Sequence, residues 1–273
     1  VTDNTAAPML ARQRQEYILD LVSANGGVRV AEVVEALGIS EMTVRRDITE
    51  LVSQGLVERV HGGAVAAGPT TLEPRFATKS TLRQEDKQKI GTAAASLVRP
   101  HDSLALSAGS TTLAVAEALT RLPHFGSLTI ITNSLPAAIT LFDAADAARE
   151  EGKSAPTVVL TGGERTPSDA LVGLQATDAL SSLKVEWVFL GAHGCDPSIG
   201  LMTPNLAEAA TNQALLAAAR TPVAVVDSSK WGVLGLRTFC PMNAIEVFVT
   251  DKRPDDDAVR ILEDQGVSIM VAS

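Results

Sequence analysis

The sequence predicts an α/β protein of two domains, a small helical one followed by a larger one with a mostly parallel sheet. Three observations carry this. Short amphipathic segments punctuated by glycines fill the N-terminal quarter, a stretch rich in Pro, Thr and Ser follows, and beyond it apolar β-rich runs alternate with Ala- and Leu-rich helical ones. The boundaries drawn are 8–67 for the first domain, 68–86 for a linker and 87–273 for the second domain.

A chain of 273 residues is long enough for two cores. Hydrophobic residues at 45% and charged ones at 20% mark a folded chain, and with aromatics at 3% the core must be built from Ala, Val, Leu and Ile. The formal net charge of −9, taken alone, argues against nucleic acid as a partner. Residues 1–67 themselves hold six Arg or Lys against nine Asp or Glu, so any DNA reading rests on where the charges sit. Cys195 and Cys240 show neither metal-ligand spacing nor a disulfide framework. No metal or cofactor is therefore expected, and a reducing, cytoplasmic setting is. The opening VTDNTAAPML has no signal-peptide pattern, no run reaches the length of a membrane span, and the residues before Pro8 are expected to be a frayed tail.

In the first domain, Leu10, Tyr17, Ile18, Leu21 and Val22 share one stripe at helical spacing, and Asn25-Gly26-Gly27 ends that helix. A second helix over 30–37 is broken by Gly38. Ser40 caps a third, which Gly55 ends. A tight turn between the second and third helices is the outline of a helix-turn-helix. On the third helix Val44, Ile48, Leu51 and Val52 are expected to face the core. The opposite side carries Met42, Arg46, Thr49 and Ser53, flanked by Thr43, Glu50 and Arg45. The N-terminal part of this helix enters the major groove in the motif, where Arg45 and Arg46 suit guanine edges or phosphates and Thr43 a phosphate or a thymine methyl. Residues 56–65, LVERVHGGAV, read as a hairpin wing with Arg59 and His61 near its edge, within reach of phosphate. The plainer alternative is a small interaction module whose arginines only solvate a surface.

The run ISEMTVRRDITELVSQGLVERVHGGAV closely resembles the N-terminal signature of DeoR-family regulators, with Ser40, Thr43, Arg45, Arg46, Asp47, Leu51, Gly55, Arg59, His61, Gly62, Gly63 and Ala64 all matching. The resemblance implies a winged helix-turn-helix that binds double-stranded DNA. Within it Asp47 is expected to hold an arginine or the helix register, since a carboxylate facing phosphate is repulsive.

The linker carries two prolines and five Thr or Ser within 66–86 and reads as a connector with one helical turn at most. In the second domain, strands are expected at 103–107, 128–132, 157–161, 185–192, 222–227, 245–250 and 267–271. Helices are expected at 87–98, 111–121, 135–148, 170–183, 205–219 and 256–265. This alternation implies a sheet covered on both faces, with ligands beyond the C-terminal strand ends. After the first strand, Gly109 permits a tight turn, and Ser110, Thr111 and Thr112 open a helix whose free N–H groups and hydroxyls suit an anion such as phosphate. An ordinary capped helix start has the same composition. Other strand ends read Thr132-Asn133-Ser134, Thr161-Gly162-Gly163-Glu164, Gly191-Ala192-His193-Gly194-Cys195-Asp196 and Asp227-Ser228-Ser229-Lys230. Lys230 is the charge partner expected for a phosphate at 110–112. Asn133, Asp196 and Glu208 can hydrogen-bond sugar hydroxyls, and His193 is either a ligand contact or a loop residue.

The resemblance to the DeoR family extends through AGSTT, TNSL, TGG, ALVG, FLGAHGCD, GLMTPNLAEA and DSSK-W-G, from about residue 9 to 251. It implies a sensor domain similar in fold to ribose-5-phosphate isomerases and a phosphorylated sugar or related metabolite as effector. By motif, Gly109–Thr112 and Lys230 would hold phosphate, with Asn133, Gly163, Asp196 and Glu208 around the sugar. The sequence departs from the pattern at Ser107 and His193, where the family usually has acids. Proton-transfer chemistry on a sugar needs positioned carboxylates, so both changes point away from an enzyme. The expectation is a cytoplasmic, homo-oligomeric repressor of sugar or carbohydrate genes, not tied to a membrane. The alternative is a sugar-phosphate isomerase-like enzyme with an appended helical module, and an activator in place of a repressor is also open.

Overall fold

The structure, a computed structural model, describes residues 9–25, 27–66 and 75–273. The expected tail before Pro8, the glycine stop at Gly26 and the first part of the linker lie outside the described residues. The chain divides into two compact units, 1–74 and 75–273.

In the first unit α1 (Ala11–Asn25), α2 (Val30–Leu37) and α3 (Glu41–Ser53) pack Ile18, Val22, Val33, Val44, Ile48 and Leu51 into one core. Gly38 takes φ 63° and its N–H closes on Val34 O at 2.9 Å, a left-handed helix end that glycine adopts without strain. Two expected core residues are not in the core. Leu10 is 70% exposed because it precedes the first turn of α1, and Val52 is 36% exposed because it lies at the border of the buried stripe of α3. The wing is β2 (Val57–Val60) and β3 (Gly63–Ala66), and β3 also pairs antiparallel with β1 (Gly27–Arg29), a strand the sequence reading treated as a helix stop. Three residues carry no periodicity of their own, so only the pairing reveals β1. The second glycine of the wing is required by that pairing. A Cβ on Gly63 would lie 2.0 Å from Val28 O.

In the second unit seven strands form one all-parallel sheet: β4 (Ser103–Leu106), β5 (Thr129–Thr132), β6 (Thr157–Leu160), β9 (Val185–Leu190), β12 (Ala219–Val225), β14 (Val247–Thr250) and β15 (Ser268–Val271). These are the seven expected strands. The sheet order β15-β14-β12-β9-β4-β5-β6 reverses direction between β4 and β9. A sheet of this kind holds its ligand crevice at such a reversal, beyond the C-terminal strand ends.

Helices α5 (Gln84–Ala95), α6 (Ser110–Leu119) and α7 (Leu135–Glu150) cover one face, where Ile90, Val115, Leu119 and Leu141 meet Leu104, Leu106, Ile130 and Val225. The other face is covered by α8 (Leu174–Ser181), α9 (Leu206–Ala218) and α10 (Asp256–Asp264), which bring Leu180, Leu215 and Leu262 against Val188, Leu190, Ala224 and Phe248. Two small sheets were not expected: a hairpin of β7 (Glu164–Arg165) with β8 (Leu171–Val172), and an antiparallel sheet ordered β10-β11-β13 from β10 (Gly194–Asp196), β11 (Gly200–Thr203) and β13 (Arg237–Cys240). Residues 75–86, read from sequence as linker, belong to this unit. They form α4 (Phe76–Thr81) and the start of α5, with Phe76 N–H donating to Pro167 O at 3.0 Å. Their polar, Pro-flanked composition hides a structured segment because its partners are distant in sequence.

Candidate DNA-reading face and ligand crevice

Ser40 caps α3, its Oγ accepting the Thr43 N–H at 3.2 Å and lying 2.8 Å from Thr43 Oγ1. Met42 is 81% exposed. Arg45, Arg46 and Thr49 are exposed on the same helix, and Arg59 and His61 on the wing. Arg45 donates to Glu41 Oε1 at 2.8 Å, a surface pair one turn apart. Thr49 Oγ1 donates to Arg45 O at 2.6 Å. The Arg59 guanidinium reaches over from β2 to donate to both Thr49 Oγ1 at 2.6 Å and Arg45 O at 3.2 Å. The wing and the recognition helix are thus joined through Arg59, and the Arg46 side chain makes no hydrogen bond or ion pair among the described residues. Asp47 is 4% exposed and accepts both Arg14 Nε at 2.7 Å and Nη2 at 3.1 Å, fixing α3 to α1. That is the arginine-holding role expected of it.

In the second unit the reversal point is bridged by Ser107. Its N–H donates to Phe189 O at 3.0 Å and its Oγ accepts the Gly191 N–H at 3.0 Å. Ser107 thus joins the ends of β4 and β9. The next residues turn at Gly109, φ 150°, into α6, and Thr112 Oγ1 donates back to Gly109 O at 3.0 Å. A Cβ on Gly191 would stand 3.5 Å from Thr112 Cγ2, so the loop after β9 lies against the first turn of α6. Ser110, Thr111 and Thr112 therefore sit at a ten-residue helix start next to the point where the strand order reverses.

Asn133, buried after β5, donates from Nδ2 to Leu171 O at 3.1 Å, while its Oδ1 has no hydrogen-bond partner among the described residues. Gly163, φ 120°, passes so close to β8 that a Cβ would lie 2.3 Å from Val172 O. Glu208 accepts Thr166 Oγ1 at 2.6 Å and Thr203 Oγ1 at 3.3 Å, so both of its oxygens tie loops together. The His193 N–H donates to Met202 O at 3.0 Å. Asp196 Oδ1 accepts Ser198 N–H at 2.8 Å and Ile199 N–H at 3.2 Å, closing the turn between β10 and β11. The structure thus draws 109–112 together with the loop after β9, and it gives Asp196 and Glu208 partners within the fold.

Lys230 closes the short 3-10 turn Ser228–Lys230 after β12. Asp227, which starts that turn, is buried. Burial alone would push its carboxyl up, but Lys230 and Lys87, with a Ser229 hydrogen bond and Arg83, bring it below the ordinary carboxylate range. Lys87 was missed from sequence. It is 6% exposed, and burial brings its ammonium down to about 8 against the opposing pull of Asp227. Asp86 and Asp251 add negative charge to the same neighbourhood. A signal for Lys87 did exist, since it lies on the buried stripe of α5 with Ile90, Gly91, Ala94 and Ala95, where a charge needs a reason. The start of α6 offers N–H donors and hydroxyls that suit an anion, and Lys87 and Lys230 interact electrostatically with each other and with Asp227.

An exposed arginine-bearing helix with a wing, carried on the same chain as a parallel α/β unit whose strand order reverses beside a helix start, defines a DNA-binding transcriptional regulator. Residues 14–70 match the DeoR-like helix-turn-helix domain and residues 82–252 the DeoR C-terminal sensor domain. The chain belongs to the DeoR family, as the residues read from sequence imply. It is similar to the HTH-type transcriptional regulator YgbI of Escherichia coli strain K12, at 33% identity over 97% of this chain and 99% of that one. It is also similar to the HTH-type transcriptional regulator GlpR of Haloferax volcanii, at 34% identity over 96% and 98%, and to the glycerol-3-phosphate regulon repressor of Escherichia coli strain K12, at 30% over 96% and 99%. Ribose 5-phosphate isomerase A from Neisseria gonorrhoeae shares 16% identity over 55% of this chain and 54% of its own at a TM-score of 0.38, too loose a likeness to carry a conclusion. Among the described residues no helix is long and apolar enough to cross a membrane.

Proposed function

We propose that the protein is a homo-oligomeric repressor of sugar or carbohydrate genes whose hold on a double-stranded operator is set by a phosphorylated sugar or related anionic metabolite. Met42, Thr43, Arg45, Arg46 and Thr49 meet the major groove, Arg59 and His61 meet phosphate, and Ser40 sets the start of the helix that carries them. The effector's phosphate lies at Gly109–Thr112 with Lys230 and Lys87. Asn133 offers its unpartnered Oδ1 to a hydroxyl, and Gly163, His193, Asp196 and Glu208 shape the surrounding loops. The observation that carries the effector reading is the junction of the α6 start with the loop after β9 at the sheet's reversal point.

The reading is non-enzymatic. Glu208 is engaged by two threonines, and by the family resemblance Ser107 and His193 stand where acids are usual, which speaks against proton-transfer chemistry. A reducing, cytoplasmic compartment suits two buried free thiols. The test is a thermal-shift screen of phosphorylated sugars and polyols, beginning with sn-glycerol 3-phosphate because a relative's name contains it. A saturable rise in melting temperature with phosphorylated compounds, absent with their unphosphorylated forms, is expected. Turnover of ribose 5-phosphate, or no stabilisation by any phosphate ester, would sink the reading.

A further inference from the structure

Lys87 faces two ways. Its Nζ donates to the carbonyl oxygens of Lys79 at 2.5 Å and Leu82 at 2.7 Å. Those oxygens belong to the last turn of α4 and its closing residue, where carbonyls lack helical partners and a cation is favoured. The joint between α4 and α5 is Arg83, a non-glycine at φ 50°, so it needs tertiary support. Lys87 supplies it through the carbonyls and through its own N–H to Arg83 O at 3.0 Å. The same α4 is pinned to the loop between β7 and β8 by Phe76 N–H to Pro167 O and by Lys79 Nζ to Ser168 Oγ at 2.6 Å.

The other direction is toward α6, against which both α4 and α5 pack. α5 leads into β4 and α6 leaves it, so both run against β4 and parallel to each other. They touch where a Cβ on Gly91 would lie 2.4 Å from Ala114 O. One turn back along each helix from that contact are Lys87 and Ser110. The charges of Asp227 and Lys230, on the turn after β12, act on Lys87. An ammonium has three donors, and two are committed to α4.

We infer that Lys87 is shared between the end of α4 and the effector's anion, so that anion binding alters the stability of residues 76–87, the structured stretch that follows the connector from the DNA-reading unit. The inference rests on the effector reading above, which places the anion at Gly109–Thr112. Lys87 is a positioning residue in this scheme. Its bonds to Lys79 and Leu82 strengthen or weaken as its third proton engages an anion, and α4 changes with them.

The test is hydrogen exchange by mass spectrometry on the full chain, with inorganic phosphate and sn-glycerol 3-phosphate as the probes. In the wild type, saturating probe is expected to change exchange by about threefold or more both at 107–115 and at 76–87. Lys87→Met should keep the response at 107–115 with weaker affinity and lose it at 76–87, while Lys87→Arg, which retains charge and donors, should keep both. A wild-type response at 107–115 with none at 76–87 overturns the inference and leaves the effector reading intact. No wild-type response at 107–115 overturns both. An undiminished response at 76–87 in a folded Lys87→Met variant also overturns the inference, and the wild-type comparison decides the matter even where that variant does not fold.

Discussion

At the scale of single residues, two buried charges organise the molecule, and each leads to a measurable expectation. Asp47 sits among the apolar residues of the first unit and is matched by both donors of the Arg14 fork. Removing one partner strands the other in a poorly solvated site, so Asp47→Ala should cost the first unit about 3 kcal/mol in urea denaturation although Asp47 touches no base. Lys87 makes a prediction with a definite sign. Its pKa is about 8 folded and 10.5 as a free side chain, so between those values the unfolded chain binds more protons and stability rises with pH. Below about 8 both states are charged and the full burial cost stands. The stability of wild type relative to Lys87→Met should therefore grow from pH 8 to pH 10, and a difference that is flat or falling would contradict the burial argument. The role of Asp47 was legible in sequence because a carboxylate on a DNA-facing helix must turn elsewhere. The role of Lys87 is not legible from α5 alone, because its partners are α4 carbonyls and charges on the turn after β12, the latter remote in sequence.

At the scale of elements, the seven central strands were legible since strands buried on both faces are written as unbroken apolar runs. β10, β11 and β13 were not. Segments such as Gly194–Asp196 and Gly200–Thr203 carry glycine and polar residues that read as loop, and only their mutual pairing makes them a sheet. β1 escaped for the same reason, and its pairing with the wing explains a glycine that the family resemblance could only match. Gly63→Ala would drive a methyl into Val28 O, so it should loosen the pairing of β1 with β3 and lower operator affinity together with the melting temperature of the first unit. Retention of both would show that the wing does not depend on this close approach. Of the candidate ligand site, the helix start at Ser110–Thr112 was legible from the Gly-Ser-Thr-Thr run after an apolar strand. The bridging role of Ser107 was not, since a hydroxyl between two parallel strands leaves no mark on periodicity.

For the whole molecule, a net charge of −9 and an affinity for DNA are reconciled by placement. Arg45, Arg46 and Arg59 are exposed on α3 and the wing, while Glu41 holds Arg45 and Asp47 is buried on Arg14. The two functions should therefore separate by mutation. Arg46→Ala is expected to weaken operator binding by about 1–3 kcal/mol and leave the metabolite-induced thermal shift unchanged. Lys230→Ala should reduce that thermal shift and leave operator affinity in the absence of metabolite as it was. Both outcomes follow from assigning DNA to one unit and the anion to the other, and a variant that moved both readouts together would argue against that division.

The most direct test is fluorescence anisotropy of the full-length protein on a labelled duplex from the region flanking its own gene, titrated across salt concentrations with and without a panel of phosphorylated sugars and polyols. The account predicts sequence-selective, salt-sensitive binding whose affinity shifts about tenfold, or ~1.4 kcal/mol, with at least one phosphorylated compound and with none of the unphosphorylated counterparts. Binding that ignores sequence, or an affinity that no compound in the panel alters, would contradict it.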